Sequence, residues 1–139
     1  KFIAQYLQNK TITIYGNGKQ SRDFVHVDDV IDIINKLIVK NLTSNIFNVG
    51  SSKSTKINQL KSYISNSHKS IKLDKRFDDI EKSIADISKA KKILKWSPKK
   101  KIENGVKDMI EKDYLRLTKI KLDTIESQKK LIKSFNKKK

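Results

Sequence analysis

Arginine is scarce in this chain. Arg22, Arg76 and Arg116 are the only three among its 32 basic residues of the lysine and arginine type. A guanidinium presents a planar fork of donors that grips phosphate or carboxylate through paired, charge-assisted hydrogen bonds, which an ammonium cannot do. From the residues alone each has a plainer use. Arg22 has Asp23, Asp28 and Asp29 nearby for a surface ion pair, and Arg76 has Asp78 and Asp79; such pairs are common and weak. The histidines offer little acid–base chemistry. His26 is flanked by apolar residues without a local partner, and His68 lies in a polar stretch. No cluster has metal-ligand spacing. The Gly16-Asn17-Gly18 turn lacks the third glycine and the following helix of a dinucleotide-binding loop. Tyr6 and Lys10 have a spacing familiar from catalytic pairs, but a match with three free positions arises often by chance.

The composition narrows the class. A length of 139 residues suits one domain with a modest core, and 36% hydrophobic against 34% charged residues suits a chain with a very polar surface. Cysteine is absent, which excludes disulfides and thiolate metal sites. No apolar run approaches the ~20 residues of a membrane-spanning helix, and the first ten residues do not read as a signal peptide. A cytoplasmic location is the expectation. The net charge of +17 invites a nucleic-acid reading. The lysine bias and the scatter of the lysines favour a solvated surface instead, because nucleic-acid sites draw on arginine. A basic module acting on nucleic acid or anionic surfaces stands as the alternative.

The elements that position these residues follow from hydrophobic periodicity. Phe2, Ile3, Tyr6 and Leu7 have helical spacing, residues 11–15 alternate as a short strand, and Gly16 and Gly18 make a turn. Phe24, Val25 and Val27 suggest a second strand. Asp28 or Asp29 then caps a helix that buries Val30, Ile31, Ile33, Ile34, Leu37 and Ile38. Residues 41–45 read as loop and Ile46-Phe47-Asn48-Val49 as a strand. Ser54 or Thr55 caps a helix with Ile57, Leu60, Tyr63 and Ile64 inside, and Ile71 and Leu73 mark another strand. After a charged, irregular stretch over 74–82, a short helix starts at Asp86 or Ser88 and stops before Pro98. The last helix begins near Ile102 with a stripe of Val106, Met109, Ile110, Tyr114, Leu117 and Ile120. Beyond Thr118 the stripe thins to Ile125, Leu131, Ile132 and Phe135, so an exposed helix fraying toward Lys139 is expected. The pattern is α/β, of mixed α+β character.

Four blocks, in order, carry a resemblance. Ile12-Thr13-Ile14-Tyr15-Gly16-Asn17-Gly18 runs into Arg22-Asp23-Phe24-Val25-His26-Val27-Asp28-Asp29. Asn45-Ile46-Phe47-Asn48-Val49-Gly50-Ser51-Ser52 follows, then Arg76-Phe77-Asp78-Asp79, then Ala85-Asp86-Ile87-Ser88-Lys89-Ala90 through Leu94-Lys95-Trp96-Ser97-Pro98. Together they resemble the substrate-binding part of the extended short-chain dehydrogenases, the NAD-dependent nucleotide-sugar epimerases and dehydratases, over roughly residues 1–117. Residues 118–139 read as a lysine-rich helical extension. Asp78 stands where that family usually has glycine, Phe77 where it has proline, and Lys95 where a left-handed helix end favours glycine.

The resemblance implies a C-terminal fragment of such an enzyme, most similar to a UDP-sugar 4-epimerase, an isomerase of carbohydrate metabolism. Arg22 and Arg76 fall at the positions that hold the substrate diphosphate. Asp79 matches the acceptor of ribose hydroxyls, and Tyr15 the aromatic beside the base. No catalytic residue and no cofactor-binding residue is expected in this segment. The resemblance assigns NAD to an N-terminal Rossmann domain upstream of Lys1, with a Tyr-x-x-x-Lys pair there, far upstream of the position of Tyr6 and Lys10. It also suggests a homodimer of the full enzyme, and a segment inactive by itself. Part of the apolar face of the helix after Asp29 is expected to pack on that upstream domain.

Overall fold

The structure is a computed structural model that describes residues 1–42 and 45–136, with side chains of the last helix up to 129 apart from 121. Among the described residues nine elements follow one another: α1 (Phe2–Leu7), β1 (Ile12–Tyr15), β2 (Ser21–Asp23), α2 (Val27–Lys40), β3 (Ser54–Lys56), α3 (Ile57–Ile64), β4 (Ser70–Leu73), α4 (Ser88–Leu94) and α5 (Ile102–Asn136). The strands form two separate pairs. β1 lies parallel to β4, with Ile12 opposite Ser70 and Tyr15 opposite Leu73. β2 lies antiparallel to β3, with Arg22 opposite Thr55 and Asp23 opposite Ser54. The fold class is mixed α/β, as the sequence pattern implies.

β1 alternates as expected: Ile12 and Ile14 are buried, while Thr13 and Tyr15 are half-buried. The second strand lies earlier than expected. It comprises Ser21–Asp23, while Phe24 and Val25 are irregular and Val27 already belongs to α2. The α2 cap is His26, not Asp28 or Asp29. Its Nδ1 accepts from the Asp28 amide at 3.2 Å. The two aspartates occupy the first turn, where negative charge meets the positive end of the helix dipole. Asp29 is buried, and its carboxylate accepts from the Lys99 and Lys100 amides at 2.9 and 3.1 Å. That contact fixes the chain just after Pro98. Ser54 and Thr55 are strand residues, and α3 has no side-chain cap. Two of its free amides, at Ile57 and Asn58, donate instead to the carbonyls of Gln20 and Gly18, both at 3.0 Å.

The main core joins Ile33 of α2 to Ile87, Ala90, Leu94 and Trp96, with Leu37, Leu42, Phe47, Val49 and Ala85 packed around it. α4 starts as expected, the Asp86 carboxylate accepting from the Ser88 amide at 2.9 Å. It ends on Lys95 at φ 50°, a left-handed conformation that costs a side chain roughly 1–2 kcal/mol relative to the ordinary helical one. The turn swings Trp96 into the core, where it is 1% exposed.

Three expectations change. Residues 46–49 are not a strand: Phe47 and Val49 reach the core, Ile46 is exposed, and no neighbouring strand pairs with them among the described residues. An extended segment without a ladder partner is not a strand, whatever its composition. On α2 only Ile33 of the expected apolar face is fully buried, while Ile31, Ile34 and Ile38 are exposed. On α5 Val106 is buried, but Met109, Tyr114, Leu117 and Ile120 face solvent, as does Ile125. The helix itself runs on past Thr118 to Asn136. The side chains of Leu131, Ile132 and Phe135, residues 137–139, and Thr43 and Ser44 of the expected 41–45 loop lie outside the described residues.

This burial pattern predicts unequal costs along α2. In the isolated chain, Ile33→Ala lowers stability by about 2–5 kcal/mol, the usual cost of truncating a buried isoleucine. Ile38→Ala, at a residue 71% exposed, changes it by less than about 0.5 kcal/mol. Urea unfolding of the two variants measures the difference.

Candidate functional site

The site is assembled where the β1–β2 turn meets the 74–82 segment. Gly16 and Gly18 both adopt positive φ, 68° and 73°. At Gly18 a Cβ would come within 2.0 Å of Asn58 Oδ1, so the turn is held tightly against the first turn of α3. Asn58 Nδ2 also donates to the Asn17 carbonyl at 3.0 Å. This seating aims Gln20 and Arg22 at the 74–82 segment.

Arg22 Nη2 donates to Asp79 Oδ1 at 2.5 Å, and Arg22 Nη1 donates to the Ser21 carbonyl at 2.9 Å. Gln20 Nε2 donates both to Asp79 Oδ2 at 3.1 Å and to the Tyr15 carbonyl at 2.6 Å. The Arg76 guanidinium carbon lies 4.0 Å from the centre of the Tyr15 ring, and Lys1 Nζ lies 4.7 Å from it. Cations so close to an aromatic face are held by the ring quadrupole. All four residues singled out from the sequence thus meet in one cluster. Neither arginine takes the neighbouring carboxylate that the sequence alone suggested. Arg22 reaches Asp79 across 57 residues rather than Asp23, Asp28 or Asp29. Arg76 stacks on Tyr15 and forms no ion pair with Asp78 or Asp79. Asp78 and Phe77 are exposed beside them.

Gln20 and Lys1 are the members that sequence reasoning missed. For Gln20 the clue was available: it lies two residues before Arg22, and residues two apart in extended chain share a face. Lys1 carries no such pattern.

The cluster retains unused capacity. A guanidinium has five N–H donors, and Arg22 spends two of them on Asp79 and Ser21. Each Asp79 oxygen accepts one bond and has a second lone pair. Arg22 also lines a groove of about 540 Å³ whose walls include Phe2, Ile3, Phe24, Leu60 and Met109. It therefore stands between a polar cluster and an apolar-walled groove.

Hydrogen bonding from Arg76, then the charges of Lys1 and Arg76, hold the Tyr15 phenol below its usual range. Tyr15 accordingly ionises at lower pH than a free tyrosine, and Arg76→Ala moves its titration back upward. Ultraviolet difference titration of the parent and of Tyr15→Phe, which removes this component, measures the effect.

Comparison with known proteins bears on this geometry. The family model described as GDP-mannose 4,6 dehydratase matches residues 1–109. UDP-glucuronate 4-epimerase of Thermodesulfobacterium geofontis is 39% identical over 113 residues, 77% of this chain and 34% of that protein. UDP-glucuronic acid decarboxylase 3 of Arabidopsis thaliana is 35% identical, over 84% of this chain and 35% of that protein. Among solved structures, UDP-glucose 4-epimerase of Thermotoga maritima with UDP-glucose superposes with a TM-score of 0.73 at 32% identity, over 84% of this chain and 38% of that one. The UDP-glucuronic acid 4-epimerase of Bacillus cereus, solved with UDP-glucuronic acid and NAD, gives 0.71 at 30% identity, covering 84% of this chain and 38% of that one. The chain spans about a third of the length of these relatives. With the ordered blocks, the matching fold and the matching family model, the chain belongs to the extended short-chain dehydrogenase/reductase family of nucleotide-sugar epimerases and dehydratases.

Proposed function

We propose that this chain is the part of an NAD-dependent UDP-sugar 4-epimerase that holds the nucleotide of the substrate. The observation that carries the reading is the convergence of Tyr15, Arg22, Arg76 and Asp79 on one cluster from three separate stretches of sequence. Arg22 and Arg76 supply the paired charge-assisted donors that a diphosphate requires. Asp79 keeps a lone pair on each oxygen for the two hydroxyls of a ribose, and the Tyr15 ring offers a face beside the base. The relatives whose names specify UDP-sugars support uridine as the nucleoside. Holding the nucleotide orients the sugar for the reaction, and orientation alone contributes several orders of magnitude in effective concentration.

The described residues do not fit the dinucleotide. The Gly16–Gly18 turn leads into β2 rather than opening a helix, and the first turn of α2 carries Asp28 and Asp29, which repel a phosphate. In this reading NAD and the proton-transferring residues belong to the remainder of a longer enzyme. That remainder also covers the exposed face of α2, where Val27, Ile31, Ile34 and Ile38 lie open. In the full-length protein Ile38→Ala then costs more stability than in the isolated chain, and equal costs in both would refute this placement.

Isothermal calorimetry on the full-length protein tests the nucleotide reading. Replacing Arg22 or Arg76 with Ala weakens UDP-sugar binding by about 1.5–3 kcal/mol each, the value of a hydrogen bond to a charged group, and leaves NAD affinity unchanged. Folded variants with unaltered UDP-sugar affinity overturn it. Steeply salt-dependent RNA binding that survives both substitutions would support a basic module instead.

A further inference from the structure

Arg22 and Asp23 are adjacent on β2, so their side chains leave opposite faces of the strand. Arg22 enters the cluster described above. Asp23 turns the other way and takes four hydrogen bonds. Oδ1 accepts from the Ser51 amide at 2.6 Å and the Ser51 hydroxyl at 2.5 Å. Oδ2 accepts from the Ser52 and Ala85 amides, both at 3.0 Å. Burial alone would raise the carboxyl, but the bonds from Ser51, Ala85 and Ser52 outweigh it and hold Asp23 below the usual carboxylate range.

The Ala85 bond completes a series. The Ser21 amide donates to the Glu81 carbonyl at 2.9 Å, and the Ser83 amide donates to the Ser21 carbonyl at 3.1 Å. Ser21 and Lys82 form a parallel bridge. The segment from 81 to 85 thus runs alongside β2 on two backbone rungs, and its next rung ends on the Asp23 carboxylate rather than on backbone. Ser52 tightens the same junction, its hydroxyl donating to the Ala85 carbonyl at 2.9 Å. There is no slack: a Cβ on Gly50 would lie 2.7 Å from Asp23 Oδ2 and 2.6 Å from the Ala85 Cβ. Immediately upstream on the same segment are Arg76 and Asp79.

We propose that Asp23 is a positioning residue for the nucleotide site: its carboxylate anchors the 81–85 segment to β2 and thereby sets Arg76 and Asp79 opposite Arg22. The proposal rests on the nucleotide-holding reading above. In it, one strand delivers a ligand contact from one face and fixes the geometry of the facing loop from the other.

The test uses full-length protein with Asp23→Asn, which replaces one acceptor oxygen by an NH₂ facing N–H donors, and Ser52→Ala, which removes only the bond to the Ala85 carbonyl. Amide hydrogen exchange of the free protein and titration with UDP are the readouts. Asp23→Asn is expected to speed exchange across residues 76–87 by about tenfold or more and to weaken UDP binding by about tenfold, the effect of losing a hydrogen bond to a charged group. Protection of α2 and the affinity for NAD stay unchanged. Ser52→Ala loosens the same junction and produces the same pattern with a smaller amplitude. If Asp23→Asn does not fold, Ser51→Ala, which removes the hydroxyl bond to Asp23 Oδ1, takes its place, with faster exchange over 76–87 and weaker UDP binding expected and no change in either overturning the proposal. Unchanged exchange over 76–87, or faster exchange there with undiminished UDP affinity, overturns the proposal. If the parent protein fails to bind UDP, the nucleotide reading falls, and the exchange pattern alone then decides whether Asp23 anchors the segment.

Discussion

The strand period of two, applied to three residues, organises most of this structure. Ser21 bonds through its backbone to the 81–83 segment and through its hydroxyl to Ser54. Arg22 faces the polar cluster, and Asp23 gathers residues 51, 52 and 85. A strand this short contributes little as a sheet. Its importance is that each residue on it holds a different distant piece of chain. A shift of register by one residue would exchange the faces and send Arg22 into the scaffold and Asp23 toward the site.

Charge does the assembling at the site. Asp79 receives Arg22 on one oxygen and Gln20 on the other, so the carboxylate joins the β1–β2 turn to the loop across from it. Both side chains of the Arg22–Asp79 pair are largely shielded, at 26% and 17% exposure, so solvent screens the pair less than it would an open surface contact. Arg76 is held differently, by the face of Tyr15. One guanidinium is therefore fixed by a carboxylate and the other by an aromatic residue, through its ring face and its phenol.

The sequence revealed element types where periodicity was strong and local: β1, α1, α3, α4 and the start of α5 all follow from spacing. It misled where the deciding partner was distant in sequence or where a pattern found none among the described residues. Residues 46–49 have the composition of a strand, yet strand formation requires a neighbour, and composition cannot supply one. The apolar faces of α2 and α5 were visible as patterns, but a pattern states which side would be buried, not whether anything buries it. The α2 cap was missed because His26 serves with a ring nitrogen in a role usually assigned to short oxygen side chains. At the site, the four residues marked by family resemblance do come together. Their pairing was not legible, because Arg22 had Asp23, Asp28 and Asp29 close by in sequence and ended on the distant Asp79.

The chain contains a single tryptophan, and it is buried against Ile33, Ile87, Ala90 and Leu94, with an indole nitrogen that finds no partner among the described residues. Intrinsic fluorescence excited at the indole band therefore reads one place only, the seam between α2 and α4. Emission from that apolar seam is blue-shifted while the seam is intact and moves to longer wavelength when it opens. The Tyr15 cluster lies elsewhere, so ligand titrations followed by tryptophan emission are silent unless occupancy deforms the core. The same dye-free optical channel that monitors unfolding cleanly is, for that reason, blind to the chemistry of the site.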